Sequence, residues 1–155
     1  MISALYVANT ILDKAFNENI QITPMKLQKL IYILYKEYIK KTGKSLFSEN
    51  FQAWQYGPVL ESVYHQFSGY KKNNITDYYY TYKNGERIYT LIDEKSSEEF
   101  TNILAYVWNN YKNFSAVELS NFTHINDGAW EKATKNKSYI LKDEDIISEK
   151  DYLWN

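Results

Sequence analysis

One stretch, Thr23-Pro24-Met25-Lys26-Leu27-Gln28-Lys29-Leu30-Ile31-Tyr32-Ile33-Leu34-Tyr35-Lys36-Glu37-Tyr38, constrains the fold more than any other. Thr23 is a good N-cap, and Pro24 suits the first helical position, where its missing N–H costs nothing. Leu27, Leu30, Ile31, Leu34 and Tyr38 then recur at helical spacing and form one apolar stripe. Gln28, Tyr32, Tyr35 and Ile39 form a second stripe beside it, which leaves Lys29 and Lys36 as positions expected to face solvent. A helix apolar over so much of its circumference has to be covered from more than one side. The expectation is a central helix over about 23–41, ended by Gly43, with the rest of the chain packed around it.

The flanks supply the covering elements. Ser3 can cap a first helix with Val7, Ala8, Ile11, Leu12 and Ala15 on one face. Phe51-Gln52-Ala53-Trp54 alternates as a short strand over about 51–55. Gly57 then allows a turn, and Pro58 is expected to open a third helix carrying Val59, Val63 and Phe67. Asn84-Gly85, between the Tyr- and Thr-rich run before it and Arg87-Ile88-Tyr89-Thr90-Leu91, is a strong hairpin signal over about 77–92. An isolated hairpin is marginal in water, so it is expected to dock beside the Phe51–Trp54 strand as one small antiparallel sheet.

Ser96 or Ser97 can cap a fourth helix holding Phe100, Leu104, Val107, Trp108 and Tyr111 inside. Ser115 and Glu118 form a capping-box pattern for a short fifth helix with Val117, Leu119 and Phe122 facing inward. After a turn at Asn126-Asp127-Gly128, Ala129 to Ala133 suits a helical turn or two. Asp143 can cap a last segment with Ile146, Ile147 and Leu153 inside. The fold class expected is mainly α (α+β): a single domain over 1–155, helical around the central helix, with one small antiparallel sheet.

Composition excludes several chemistries. There is no cysteine, which removes disulfides, thiol catalysis and thiolate metal sites. Charge is balanced, 18 Lys+Arg against 19 Asp+Glu, so the total does not favour nucleic acid or an anionic membrane. No run reaches membrane-spanning length and no signal peptide opens the chain, which places it in the cytoplasm by expectation. The 16 tyrosines are the compositional surplus, serving a tyrosine-rich core or a protein interface.

Three blocks, Thr23 to Tyr32, Phe51 to Val59, and Leu119-Ser120-Asn121-Phe122-Thr123-His124 leading to Trp130, follow one another at characteristic spacing. In this order the chain resembles the Panacea antitoxin domain family, which includes SocA-like antitoxins and phage-associated proteins. The resemblance covers nearly the whole chain. It implies a cytoplasmic bacterial or phage antitoxin that neutralises a cognate toxin protein by direct binding, is not an enzyme, and needs no cofactor. It also implies an alternative, a proteolytic adaptor that delivers a bound protein to a protease. The hairpin lies outside the three blocks and is the part least predictable from the family.

The residues fall into two groups. Thr23, Pro24, Leu27, Leu30, Leu34, Trp54, Gly57, Pro58, Leu119 and Trp130 read as structural: caps, turns and packing. Lys26, Tyr32, Tyr56, Tyr78, Tyr80, Tyr82, Arg87 and His124 are the candidates for partner contact, on the hairpin and on the sides of the blocks expected to be exposed. Trp54 and Tyr56 carry both readings, core aromatics or a rigid patch for a partner. An enzyme reading would centre on Thr123-His124, but neighbours on a helix point about 100° apart, which disfavours a nucleophile–base pair. The two histidines, His65 and His124, lack metal-ligand spacing. Base stacking on the tyrosine hairpin is a further reading, weakened because Asp77 and Glu86 dilute its basic residues.

Overall fold

The computed structural model describes residues 2–153. Helix α1 (Ala4–Glu18) starts on Ser3, whose side chain accepts from the Leu5 N–H, and stops at Asn19 in the left-handed conformation. Helix α2 (Pro24–Thr42) is the centre. Thr23 accepts from the Lys26 N–H at 3.2 Å, and Gly43 (φ 72°) closes the other end. Every residue from 26 to 36 is buried. Helices α1, α3 (Glu61–Phe67), α4 (Glu98–Tyr111), α5 (Ala116–Thr123) and α7 (Asp143–Ile147) all pack against α2, together with the second strand. Both apolar stripes are therefore consumed, and Leu27, Leu30 and Leu34 are at most 1% exposed.

Strand β1 (Gln52–Trp54) pairs antiparallel with β2 (Gly57–Val59), and β3 (Thr81–Lys83) with β4 (Glu86–Ile88). The mainly helical α+β class holds, but the sheet is two separate ribbons rather than one. The edge of β1 expected to receive the hairpin is taken by residues 139–141, through Ala53 N–H to Tyr139 O (2.8 Å) and Leu141 N–H to Phe51 O (2.9 Å). The hairpin docks on α1 instead. Buried Asn9 donates to Tyr79 O (2.9 Å) and Thr90 O (3.2 Å) and accepts from the Tyr79 N–H (2.8 Å), pinning both legs at once. At its tip, Asn84 (φ 52°) and Gly85 (φ 79°) both take the left-handed conformation, as a tight primed turn requires.

Several local expectations are corrected. Pro58 lies inside β2, and the third helix begins only at Glu61. It can sit there because a two-stranded ribbon has free edges that do not need its N–H. Lys29 and Lys36 do not face solvent; they are 1% and 0% exposed. Lys36 Nζ reaches the Lys150 carbonyl at 2.6 Å and lies 3.2 Å above the Tyr152 ring, so the C-terminal segment covers it. Tyr32 has no exposed side either: it is 0% exposed and donates to the buried Glu149 carboxylate. Val117 and Ile147 are exposed rather than inward, and Lys142 rather than Asp143 holds the cap position of α7. Of the two serines expected to cap α4, Ser97 accepts from the Phe100 N–H, while the Ser96 side chain lies outside the described residues. The Ser115–Glu118 capping box forms as expected. No helix among the described residues is long and apolar enough to cross a membrane.

Candidate functional site

The three blocks, spread along the chain from Thr23 to Trp130, converge on the turn between β1 and β2. Its carbonyls are claimed one by one. Trp130, on α6 (Ala129–Lys135), donates its indole N–H to Trp54 O at 2.7 Å. Ser120 on α5 donates its hydroxyl to Tyr56 O at 2.6 Å. Lys29 on α2 donates to Pro58 O at 2.8 Å. Two residues further on, the Gln28 side chain accepts from the Leu60 N–H (2.9 Å) and donates to Leu60 O (3.0 Å), replacing the ladder partner that the end of β2 lacks. Four side chains from three helices thus hold the turn.

Gly57 sits where these elements meet. Its φ of 116° disfavours any side chain, and a Cβ there would lie 2.8 Å from Thr123 Oγ1 and 3.1 Å from Lys29 Nζ. Thr123 is fully buried and donates to Ser120 O at 2.7 Å. His124 caps α5 by donating from Nδ1 to the same carbonyl at 2.6 Å, and its ring packs 4.0 Å from that of Trp130. The Thr123 hydroxyl and His124 Nδ1 come within 3.4 Å, closer than their helical offset suggested. Both protons nevertheless point at the Ser120 carbonyl, so Nδ1 is a donor here and not a base for Thr123.

Beside the turn, α2, the β1–β2 ribbon and α3 enclose an open groove of about 580 Å³. Met25, Trp54, Tyr56, Val59, Val63 and Tyr64 give it apolar walls. Lys29, Lys71 and Lys72 also line it, and no Asp or Glu does among the described residues. Trp54 packs edge-on against Tyr64 (4.7 Å) and donates to Gln52 Oε1 (2.8 Å), so it is half core, half wall. Tyr56, 64% exposed, stands at the lip. Burial drives the Lys29 pKa down to about 7. Lys26, beside it, buries its stem and donates to Lys112 O at 2.5 Å; burial lowers its pKa against the opposing pull of Glu118.

The hairpin makes a second aromatic surface. Tyr78 stacks on Tyr89 (4.1 Å) and donates to Asp13 (2.8 Å); Tyr80 donates to Asp77 and carries the Arg87 guanidinium 4.0 Å above its ring. Tyr78 and Tyr80 are half-buried by these contacts, whereas Tyr82, Arg87, Ile88 and Tyr89 are exposed. Of the residues proposed from sequence for partner contact, the structure leaves Tyr56, Tyr82 and Arg87 open, half-exposes Tyr78, Tyr80 and His124, and buries Lys26 and Tyr32. Sequence reasoning missed Gln28, Lys29 and Ser120 as turn-holders, and Thr123 as the buried hydroxyl against Gly57. Gln28 carried a sequence signal, polarity at a position the helical periodicity sends inward, whereas the same periodicity sent Lys29 to solvent.

The geometry can be set beside known proteins. Residues 27–131, more than half of the chain, match the family described as antitoxin SocA-like, Panacea domain. The match begins in α2, includes the hairpin and ends just after Trp130, so it takes in the turn, its four supporting side chains and the groove apart from Pro24 and Met25. Among curated proteins, Antitoxin SocA of Caulobacter vibrioides (strain NA1000 / CB15N) is 40% identical over 67 residues. That alignment spans 43% of this chain and 36% of the relative. No solved structure matches the chain. A turn gripped by residues of the first and third blocks, within a match that covers more than half of the chain, settles the affiliation: the chain belongs to the SocA-like antitoxin, Panacea-domain family.

Proposed function

We propose that the chain is the antitoxin of a toxin–antitoxin system, acting in the cytoplasm and neutralising a cognate toxin by direct protein–protein binding. Family membership over residues 27–131 is the observation that carries this reading. The surface supports it. Tyr56 at the groove lip and Tyr82, Ile88 and Tyr89 on the hairpin are large apolar side chains left in water, 38–71% exposed. Aromatic residues of this kind, with an arginine such as Arg87 among them, are the usual anchors of a protein interface. Gln28, Lys29, Ser120 and Trp130 meanwhile hold the β1–β2 turn, which makes a scaffold for such anchors.

The test is genetic and then biochemical. The neighbouring reading frame should be lethal when expressed alone and tolerated when this chain is co-expressed, and the two products should co-elute on size exclusion. A neighbour that is harmless alone, or one that is rescued with no complex formed, would overturn the reading.

A further inference from the structure

The groove is lined by a buried amine that has no ion-pair partner among the described residues. Lys29 is 1% exposed, and its single hydrogen-bond partner among the described residues is the neutral Pro58 carbonyl. An ammonium carries three donors, so two remain unused. The groups facing it are enumerable. From β2 come backbone atoms of Gly57 and Pro58, and from α5 the Thr123 hydroxyl, already donated to Ser120 O. Within the groove the other titratable groups are Lys71, Lys72, Tyr56 and Tyr64. The nearby carboxylates are turned elsewhere: Glu118 to the Ser115 N–H and Glu61 to Gln52 and His65. No carboxylate of the described residues forms an ion pair with Lys29, and burial alone accounts for its lowered pKa.

A buried, unpaired charge is costly unless something pairs with it. The other lysines of the groove, Lys71 and Lys72, are exposed and add the same sign at its edge. This basic groove lies on a chain of net charge −1, so its charge is local, and the walls between the lysines are apolar. The complement of such a surface is an apolar side chain with carboxylates beside it.

We propose that the groove is the receptor for a short acidic-apolar segment of the toxin. A bulky apolar side chain fills the space between Trp54, Val59 and Val63; a neighbouring Asp or Glu pairs with Lys29 Nζ; and further acids meet Lys71 and Lys72. The proposal rests on the neutralisation reading above and gives that reading a partner chemistry.

The test starts without a toxin. A phage-displayed random 12-residue peptide library is selected on the full chain, and the winning peptides are resynthesised. The expected winners carry an aromatic or aliphatic residue within two positions of Asp or Glu, and they shift the Trp54 indole N–H resonance. Changing their acids to Gln should weaken binding at least tenfold, as should Lys29→Met in the chain. Because Lys29→Met alters a buried position, the double variant Lys71→Glu/Lys72→Glu, confined to exposed residues, provides a second arm and should weaken the same peptides at least fivefold. Winners without an acid preference, binding unchanged in both variants, shifts confined to other surfaces, or no winners at all would each overturn the proposal.

Both variants are then scored for neutralisation of the neighbouring gene product. Full neutralisation by both overturns the groove proposal and leaves the antitoxin reading standing. Acid-dependent peptide capture by a chain that neutralises nothing overturns the antitoxin reading and leaves the groove's chemistry standing.

Discussion

At the scale of single residues, the turn is held by side chains that local rules assign to solvent. A lysine on a helix is expected to extend into water, and Lys29 would do so were the Pro58 carbonyl not delivered to it from 29 positions away. The hydrogen bond does not offset the burial of the charge, which is why its pKa falls to about 7 from an ordinary 10.5. The sign follows. Between those two values the unfolded chain holds a proton that the folded chain has released, so stability rises with pH across this window. Below about 7 both states are charged and the full penalty is present. Lys36, lowered to about 8 by burial, acts in the same direction, while Tyr35, raised to about 12, opposes it only above pH 10, where unfolded tyrosines ionise. Lys29→Met removes the penalty while keeping the stem, so it should raise the melting temperature at pH 7 and flatten the climb between pH 7 and 9. The slope lost is at most about 1.4 kcal/mol per pH unit. Parallel melting-temperature curves for parent and variant would show that the amine is not buried as described.

At the scale of elements, α2 and the hairpin behave as opposites. Leu30 lies mid-stripe on α2 and is 1% exposed, so Leu30→Ala should cost about 2–5 kcal/mol, including the cavity it leaves. For a chain of this size each kcal/mol lowers the melting temperature by about 2–4 °C. A thermal midpoint unchanged by the substitution would contradict the burial of this helix. The hairpin has two parts. Its base is tied to α1 through Asn9 and through the Tyr78–Asp13 hydrogen bond, so removing it should damage the fold. Its tip, β3 and β4, is largely exposed and can be replaced by a short Gly-containing turn from Thr81 to Ile88. That variant should melt within about 3 °C of the parent, given the small stability effects of exposed sites, and it should neutralise the toxin less well because Tyr82, Arg87 and Ile88 are gone. Full neutralisation by the folded variant would confine the contact surface to the groove side.

At the scale of the whole molecule, what was legible in the sequence is what short-range patterns encode: the two stripes of α2, the Thr23, Ser97 and Ser115 caps, the Gly43 stop and the Asn84-Gly85 turn. These features depend on neighbours within a turn or two, so periodicity and capping rules reach them. Hidden from the sequence was everything carried by hydrogen bonds between distant segments. Asn9 reads as one more polar residue on α1, yet it decides where the hairpin docks. Tyr32 reads as an aromatic that could face outward, until the C-terminal segment brings Glu149 over it and Tyr152, itself bonded to Glu149 at 2.9 Å, closes the same layer. Likewise the groove exists because Trp130, Ser120 and Lys29 fix three carbonyls of one turn, a convergence no single block announces. The central claim is that this assembly presents a rigid surface that binds the toxin. Its most direct test is calorimetric titration of the purified chain with the product of the neighbouring reading frame, parent against Tyr56→Asp. Tyr56 is 64% exposed, so the substitution leaves the core untouched. The predicted result is a stoichiometric complex with the parent and at least a tenfold weaker one with Tyr56→Asp, a loss of about 1.4 kcal/mol or more. Equal affinity for parent and variant, or no heat of binding from a neighbour the chain neutralises in cells, would contradict the account.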